Sequence, residues 1–593
     1  MQFKLKISLF IVFLTALIIG LFSLDSDIET LSKAGISQKK PAIVVNQVGY
    51  LPQWQKIAFL RYSSAFPRNK ASASPALLID QETRKTIATI PLKQKTVDPV
   101  TQDVVAAIDF SSVTQPGTYY LEQKRLQSVP FEIGTDIYRQ PLVTLLRSYY
   151  LHRCGVELED PITGISHPPC HLQDGIVARE DPYHASGEAM FAVGGWHDSG
   201  AYSKYVATTT VTIARLLNLY QQVPDLFPDN HLTIPESGNG KSDLLDEMEW
   251  GLNWLLRMQR EDGAVYRKLS GAEWPLNLAP DEDTQLRYIY GISTPETAKF
   301  AAVMAIASRN WQSIDRPLAQ KFLQSAQLAW QYLQTQPEMK IDEFEGDDTG
   351  SDRYLASEYN LEASLKTDID DRLWAATELY ITTGQADFAE YVANHLERVN
   401  YTLFEWKNPA PLGLINYLQQ DNQTTSEELV TKIKAKIEQR AELILNKVEQ
   451  NAYHLANDRF IWGSNRMTAE EGNTLVYAYQ LTGKSEYLNA AIDQLDYLLG
   501  RNHFNQTFVT DIGSNSVKNL SNLYTRAKKF LIPGVVVGGP NGSSKDGMVT
   551  RNRGQLSYID DELSYATNGN KTDYNASLIS LIVNLISDRA TNF

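Results

Sequence analysis

The feature that most constrains this chain is a change in the period of its apolar residues near Tyr138. Before that point, short runs are wholly apolar or alternate: Ile43–Val45, Lys56–Tyr62, Ala76–Ile79, Val104–Phe110 and Thr118–Glu122. Proline and glycine punctuate them, as in Gln115-Pro116-Gly117 ahead of Tyr119. Short strands spaced this way predict a β-sandwich, here over residues 41–135. After Tyr138 the apolar residues return every three or four positions. They do so in Leu142–Tyr150, Val206–Tyr220, Ser242–Met258, Thr294–Ser308, Ala319–Leu333, Leu373–Thr383, Ala386–Val399, Glu427–Val448, Thr468–Leu481, Glu486–Leu499 and Tyr574–Ile586. Side chains share a face every second residue in a strand but every 3.6 in a helix, so one pattern cannot serve both. The expectation is a multidomain protein, an all-β sandwich followed by about eleven helices over residues 136–593. No fixed-period repeat points to a solenoid. An all-α body of this size suits an (α/α)6 toroid, whose two rings of helices leave one face open as a cleft.

The N-terminus adds an address. Lys4 and Lys6 precede an apolar run from Ile7 to Leu24, the pattern of an export signal. The run nearly reaches the length that spans a bilayer, and Leu24, Asp25 and Asp27 offer no small-residue cleavage site. Residues 1–24 therefore read equally as a cleaved signal peptide or a retained membrane anchor, and residues 25–40 as a polar linker. Either reading puts the protein outside the cytoplasm: secreted, periplasmic or held to the outer face of the membrane. The net charge of −15, with no Lys/Arg run interleaved with aromatics, excludes a nucleic-acid partner. Thirty Tyr and 10 Trp suit stacking on sugar rings, and equally suit a large aromatic core.

Particular motifs carry a resemblance. Val44-Val45-Asn46-Gln47-Val48-Gly49-Tyr50-Leu51-Pro52 opens the sandwich. Arg153-Cys154-Gly155, His167-Pro168-Pro169-Cys170-His171 and Gly194-Gly195-Trp196-His197-Asp198 follow in order. Then come Leu244-Leu245-Asp246-Glu247, Trp250-Gly251-Leu252-Asn253-Trp254, Trp462-Gly463-Ser464-Asn465 and Leu498-Leu499-Gly500-Arg501-Asn502. Pro533-Gly534, Val537-Gly538-Gly539-Pro540-Asn541 and Asp573-Tyr574-Asn575-Ala576 complete the series. Together they resemble the family 9 glycoside hydrolases, cellulases with an N-terminal immunoglobulin-like domain, from about residue 41 to the end.

The resemblance implies a structural zinc on Cys154, Cys170, His171 and His197, with His167 and His184 as nearby substitutes. Thiolate and imidazole are the donors that favour tetrahedral zinc. A Cys154–Cys170 disulfide is the rival, although it leaves His171 and His197 unexplained. Calcium is common in the family, and the loop Asp347-Asp348-Thr349-Gly350-Ser351-Asp352 offers it carboxylates, or else stands solvated.

Inverting hydrolysis needs two carboxyl groups about 6.5–9.5 Å apart, one to protonate the leaving oxygen and one to activate water. The family takes its base from an Asp-Ala-Gly-Asp segment, in which the second Asp is the base and the first helps hold the water. Here that segment is Asp198-Ser199-Gly200-Ala201, so Asp198 survives and a methyl group stands at the base position. The family's acid is a Glu in a Tyr-x-x-Asn-Glu segment. Here Tyr565-Ala566-Thr567-Asn568 is followed by Gly569, with Asn575-Ala576 in place beyond it. Where the family has His-x-Arg, the counterpart is Tyr524-Thr525-Arg526. Losing one such group costs about 10²–10⁴ in rate. By the same resemblance Trp196, Tyr202, Tyr205, Trp462, Arg526 and Tyr565 line a groove for a β-linked polysaccharide or oligosaccharide. The expectation is a family 9 body that binds or processes a cellulose-like glycan with its ordinary hydrolysis lost or impaired. One alternative is a hydrolase using Asp198 as base and Asp560, Asp561 or Glu562 as acid. The other is a non-catalytic scaffold.

Overall fold

The computed structural model describes residues 40–62, 74–351, 366–420 and 426–587. The expected signal or anchor segment, and the linker up to Lys39, lie outside them. Among the described residues no helix is long and apolar enough to cross a membrane.

The first domain is the expected immunoglobulin-like sandwich. One sheet orders its strands β1 (Ala42–Val44), β3 (Ile57–Tyr62), β7 (Val104–Asp109) and β6 (Leu92–Val97), with β2 at Gly49–Tyr50 belonging to the second. That second sheet runs β2, β10 (Phe131–Ile133), β8 (Gly117–Gln123), β4 (Ala76–Asp80) and β5 (Thr86–Ile90), and β9 (Leu126–Gln127) pairs with β8. β3 is buried along its whole length, and its alternating faces serve two different cores. Ala58, Leu60 and Tyr62 pack inside the sandwich. Ile57 and Phe59 pack outward with Val44 and Val105 against Ala452 and Tyr453 of the helical domain.

Polar ties reinforce that apolar seam. The Asn46 amide donates to Asp496 at 2.9 Å and to the Tyr138 hydroxyl at 2.9 Å. Its oxygen accepts from the backbone of Val48 and Gly49. Asp103 accepts from Tyr453 and pairs with His503, each at 2.5 Å. Asn46→Ala should cost about 1–3 kcal/mol, because it strands buried partners in both domains. Chemical denaturation of the two proteins side by side measures it, and an unchanged midpoint would refute it.

Among the described residues twelve helices of nine residues or more follow: α1 Arg139–Tyr150, α2 Val206–Gln222, α3 Asp243–Arg257, α4 Thr294–Trp311, α5 Arg316–Thr335, α6 Ile369–Thr383, α7 Ala386–His395, α8 Ala410–Leu418, α9 Glu427–Gln450, α10 Ser464–Thr482, α11 Ser485–Leu498 and α12 Thr572–Ile586. They alternate in character. The even-numbered helices are buried on nearly every side, whereas α5, α7 and α9 bury only a stripe. An all-round apolar helix belongs inside and an amphipathic one outside. The even helices form the inner ring, and α12 packs against α2 to close it. The result is the (α/α)6 barrel.

Two expectations need correcting. The helix α8 was not anticipated, because Pro409, Pro411 and Gly413 look like loop punctuation and its run of buried residues carries no period. The second domain is also not purely helical. Ile176–Val177, Arg287–Ser293, Val265–Gly271 and Lys204–Tyr205 make a four-stranded sheet at one end of the barrel. Charged residues such as Arg267 and Lys268 hide these strands, yet both are buried and paired with acids.

Candidate functional site

The segment Gly194–Ala201 is fixed in place by the motif residues around it. The Cys154 amide donates to the Gly195 carbonyl, and the His197 amide donates to that of His152. Gly195 has φ +72°, and a Cβ there would lie 2.8 Å from the Trp254 ring, so the approach demands glycine. Trp196 donates its indole N–H to Glu247 at 2.7 Å, and Arg153 pairs with the same carboxylate at 2.9 Å. Trp250 donates to the Gly195 carbonyl and lies under the Arg153 guanidinium.

Behind this segment four candidate ligands converge. Both cysteines are free, so the rival disulfide is absent. Donor atoms of Cys154, Cys170, His171 and His197 lie within 4.8 Å of one another. Cys154 Sγ is 3.7 Å from His171 Nδ1, Cys170 Sγ is 3.9 Å from His197 Nε2, and the two nitrogens are 3.2 Å apart. A tetrahedron with metal–sulfur bonds of about 2.3 Å and metal–nitrogen bonds of about 2.0 Å has edges of about 3.6 Å and about 3.3 Å between those donors. The cluster has that size. Asp283 lies 3.4 Å from the other nitrogen of His171, the kind of contact that orients a ligating imidazole. Burial pushes His197 down to about 3, which keeps its imidazole neutral. Burial alone would raise Cys154, but a hydrogen bond from Cys170 and the Lys204 ammonium hold its thiol well below the usual range. His184 and His167 stand apart, bonded to the Tyr266 hydroxyl and the Pro168 carbonyl.

The carboxylates of the expected calcium loop are already committed. Asp347 pairs with Arg179 and Arg267, and Asp348 pairs with Lys268. Asp352 lies outside the described residues.

On the open side of Gly194–Ala201 lies a cavity of about 550 Å³, within the range of small-ligand sites. Ser199, Gly200 and Ala201 form one wall; Tyr565, Ala566, Gly569, Asn570 and Lys571 form another. Trp462 and Tyr565 stack, with centroids 5.9 Å apart and planes at 15°. Trp274 and Trp406 add aromatic surface, and Arg526 reaches the cavity while bonded to the Asn277 side chain at 3.0 Å.

Three residues expected on this groove do not reach it. Trp196 serves Glu247, as above. Tyr202 is buried and donates to the Leu278 carbonyl. Tyr205 is buried beneath the Lys571 ammonium, 4.9 Å from its ring. Asp198 is also turned away. Its side chain is 1% exposed, accepts from the Thr572 hydroxyl at 2.6 Å and its amide at 3.3 Å, and pairs with Lys571 at 3.4 Å. It thus satisfies the positive N-terminus of α12 from outside the helix.

Ala201 and Gly569 do face the cavity. A Cβ on Gly569 would meet the Tyr565 carbonyl oxygen at 2.5 Å, so the local backbone has closed over the space a side chain would need. Asp560 accepts from Gln506, Lys518, Asn519 and Asn568, which leaves its carboxylate fully occupied. Asp561 accepts from the Leu563 amide, and Glu562 pairs with Lys529. Neither lines the cavity.

Sequence reasoning missed Trp274, Trp406, Lys407, Arg466, Lys545 and Lys571 on the wall. Arg466 follows Trp462-Gly463-Ser464-Asn465 directly, so extending that motif by one residue finds it.

The profile of Glycosyl hydrolase family 9 matches residues 138–582, and that of Cellulase N-terminal ig-like domain matches residues 38–128. The chain is 28% identical to Endoglucanase D of Acetivibrio thermocellus over 92% of its own length and 83% of that protein. It is 30% identical to a xyloglucan-specific endo-beta-1,4-glucanase of Bacteroides ovatus, covering 92% and 93% of the two chains. The solved structure of a metagenome-derived glycoside hydrolase family 9 endoglucanase superposes with a TM-score of 0.87 at 37% identity, over 92% of this chain and 99% of that one.

Proposed function

This chain is a member of glycosyl hydrolase family 9, and we propose that it binds a β-linked glycan in the cavity without the family's inverting hydrolysis. Membership supports a scaffold built to act on β-glucans. The observation that carries the finer reading is chemical: among the described residues, no Asp or Glu lines the cavity. Inverting hydrolysis requires a carboxylic acid on one face of the sugar and a carboxylate on the other. Here those places hold a methyl group and a glycine. The carboxylate that survives, Asp198, spends its oxygens on α12 and Lys571. What remains is a binding surface, with the stacked pair Trp462 and Tyr565 offering flat faces to the apolar side of sugar rings.

In the same reading Cys154, Cys170, His171 and His197 hold zinc. A site closed by four protein ligands leaves no open position, so the metal would brace structure and supply no water for attack. Bracing the segment that ends at Ala201 keeps the cavity wall in shape. The export pattern ahead of residue 25 supports action outside the cytoplasm.

The test pairs turnover with binding. Reducing-end release from soluble β-glucans should not exceed that of a heat-inactivated control, while calorimetry detects oligosaccharide binding. Trp462→Ala should weaken that binding by about tenfold, the worth of one stacked ring. Turnover well above the control that disappears in Asp198→Ala would sink the proposal.

A further inference from the structure

The loop from residue 272 to residue 286 joins two paired strands of the four-stranded sheet, whose last rung sets Gly271 opposite Arg287. A hairpin can close with about two to five residues, and a longer connection without regular structure of its own is usually functional. The apolar side chains of this loop do not hold it down, since Trp274, Leu276 and Leu286 are 47%, 78% and 53% exposed. Trp274 nevertheless lines the cavity. With so little apolar burial, polar ties must fix the loop against its conformational entropy.

Two of those ties lead to the cluster of Cys154, Cys170, His171 and His197. The Gln285 amide donates to Asp283 at 3.0 Å, and its oxygen accepts from the Glu273 backbone N–H at 3.1 Å. Gln285 thus bridges the residue before Trp274 and the carboxylate that lies 3.4 Å from His171. It crosses the hairpin so tightly that a Cβ on Gly271 would meet it at 2.3 Å. The second tie is Tyr202, whose hydroxyl donates to the Leu278 carbonyl at 2.5 Å. Its ring centroid lies 4.9 Å from that of His197 and 5.7 Å from that of His171. One side chain therefore touches both imidazoles and the backbone of the loop. The pair of Glu282 with Lys528 also ties the loop, but it is exposed and contributes little.

We propose that Trp274 is a further sugar-stacking ring of the cavity, and that Gln285 and Tyr202 are positioning residues which carry the geometry of the metal cluster to it. This rests on the glycan-binding reading above and on zinc in the cluster. With both imidazoles held as ligands, Asp283 and Tyr202 keep one position, and the loop that presents Trp274 keeps its place. The affinity of the cavity then depends on the metal through one ring, although none of the four ligands lines the cavity.

Calorimetry with a β-1,4-glucan hexamer on the intact protein reads this coupling. Trp274→Ala should weaken binding about threefold to tenfold, the worth of one stacked ring. Gln285→Leu should weaken it about threefold with the zinc content unchanged. Tyr202→Phe keeps the ring against the imidazoles and removes only the bond to the loop, so a similar loss is expected. In the Trp274→Ala background neither substitution should cost more, and neither should removal of the metal with a chelator, because a loss carried by one ring cannot occur twice. A general loosening of the barrel would weaken binding in both backgrounds. Unchanged binding in any of the three single variants, losses that persist without Trp274, or a chelated natural protein that binds as before would each overturn this inference and leave the glycan-binding reading standing. No binding of the hexamer by the natural protein would overturn both.

Discussion

Cys154→Ser should abolish the zinc binding proposed for this cluster and leave the protein less stable by about 3–5 kcal/mol, at the upper end of what single substitutions cost. Structural zinc can contribute more than that where the metal is the whole core. Here the barrel has a large apolar core of its own, so the protein should still fold. The damage should be local and costly, since the cluster ties three separate stretches together. Cys154 follows α1, Cys170 and His171 sit in the long loop after it, and His197 immediately precedes Asp198. Metal analysis should return about one zinc per chain for the natural protein and none for the variant. Thermal unfolding of the two, with and without a chelator, measures the cost. His184→Ala is the control, because that ring bonds the Tyr266 hydroxyl and should leave the metal content unchanged. A metal-free natural protein, or a Cys154→Ser variant that melts where the parent does, would remove the zinc assignment.

Restoring the two missing carboxyl groups should have the larger effect on chemistry. Ala201→Asp alone should stay at background turnover, because among the described residues no acid lines the cavity to face it. Adding Gly569→Glu should raise turnover by about 10²–10⁴ over that single variant, the usual worth of one general acid. The gain is limited by the 2.5 Å contact that any Cβ at 569 makes with the Tyr565 carbonyl. Moving the short helix Tyr565–Asn568 to relieve it should cost about 1–3 kcal/mol, as overpacking does elsewhere. Reducing-end assays on a soluble β-glucan read the result. Full turnover in Ala201→Asp alone would mean that a working acid already faces the cavity.

The division of the chain at Tyr138 was legible because period 2 and period 3.6 are hard to confuse over long stretches. Where both faces of an element are buried, that signal fades. β3 could be read as a strand only because it is short and sits among other short strands, and α8 was lost because it combines uniform burial with two prolines. The strands Val265–Gly271 and Arg287–Ser293 were hidden differently. Their basic residues look like surface until their buried partners are placed. At the site, the motifs located the right segments but could not say which way each side chain turns. Trp196 and Asp198 lie in the segment that walls the cavity, yet both turn behind it, one toward Glu247 and the other toward α12. The four expected ligands Cys154, Cys170, His171 and His197 do converge, their donor atoms within 4.8 Å of one another.

The two-faced burial of β3 has a consequence for ancestry. Phe59 lies 4.7 Å below the Arg501 guanidinium, which is itself held by Asp493 at 2.6 Å. A descendant that shed the sandwich would lose this ring and expose the Tyr453 side chain and the buried Arg501–Asp493 pair in a single step. Gene rearrangements that separate the two domains should therefore survive only where another segment arrives to shelter the same patch. The pair is expected to be inherited as one unit, even in lineages where the reaction itself has lapsed.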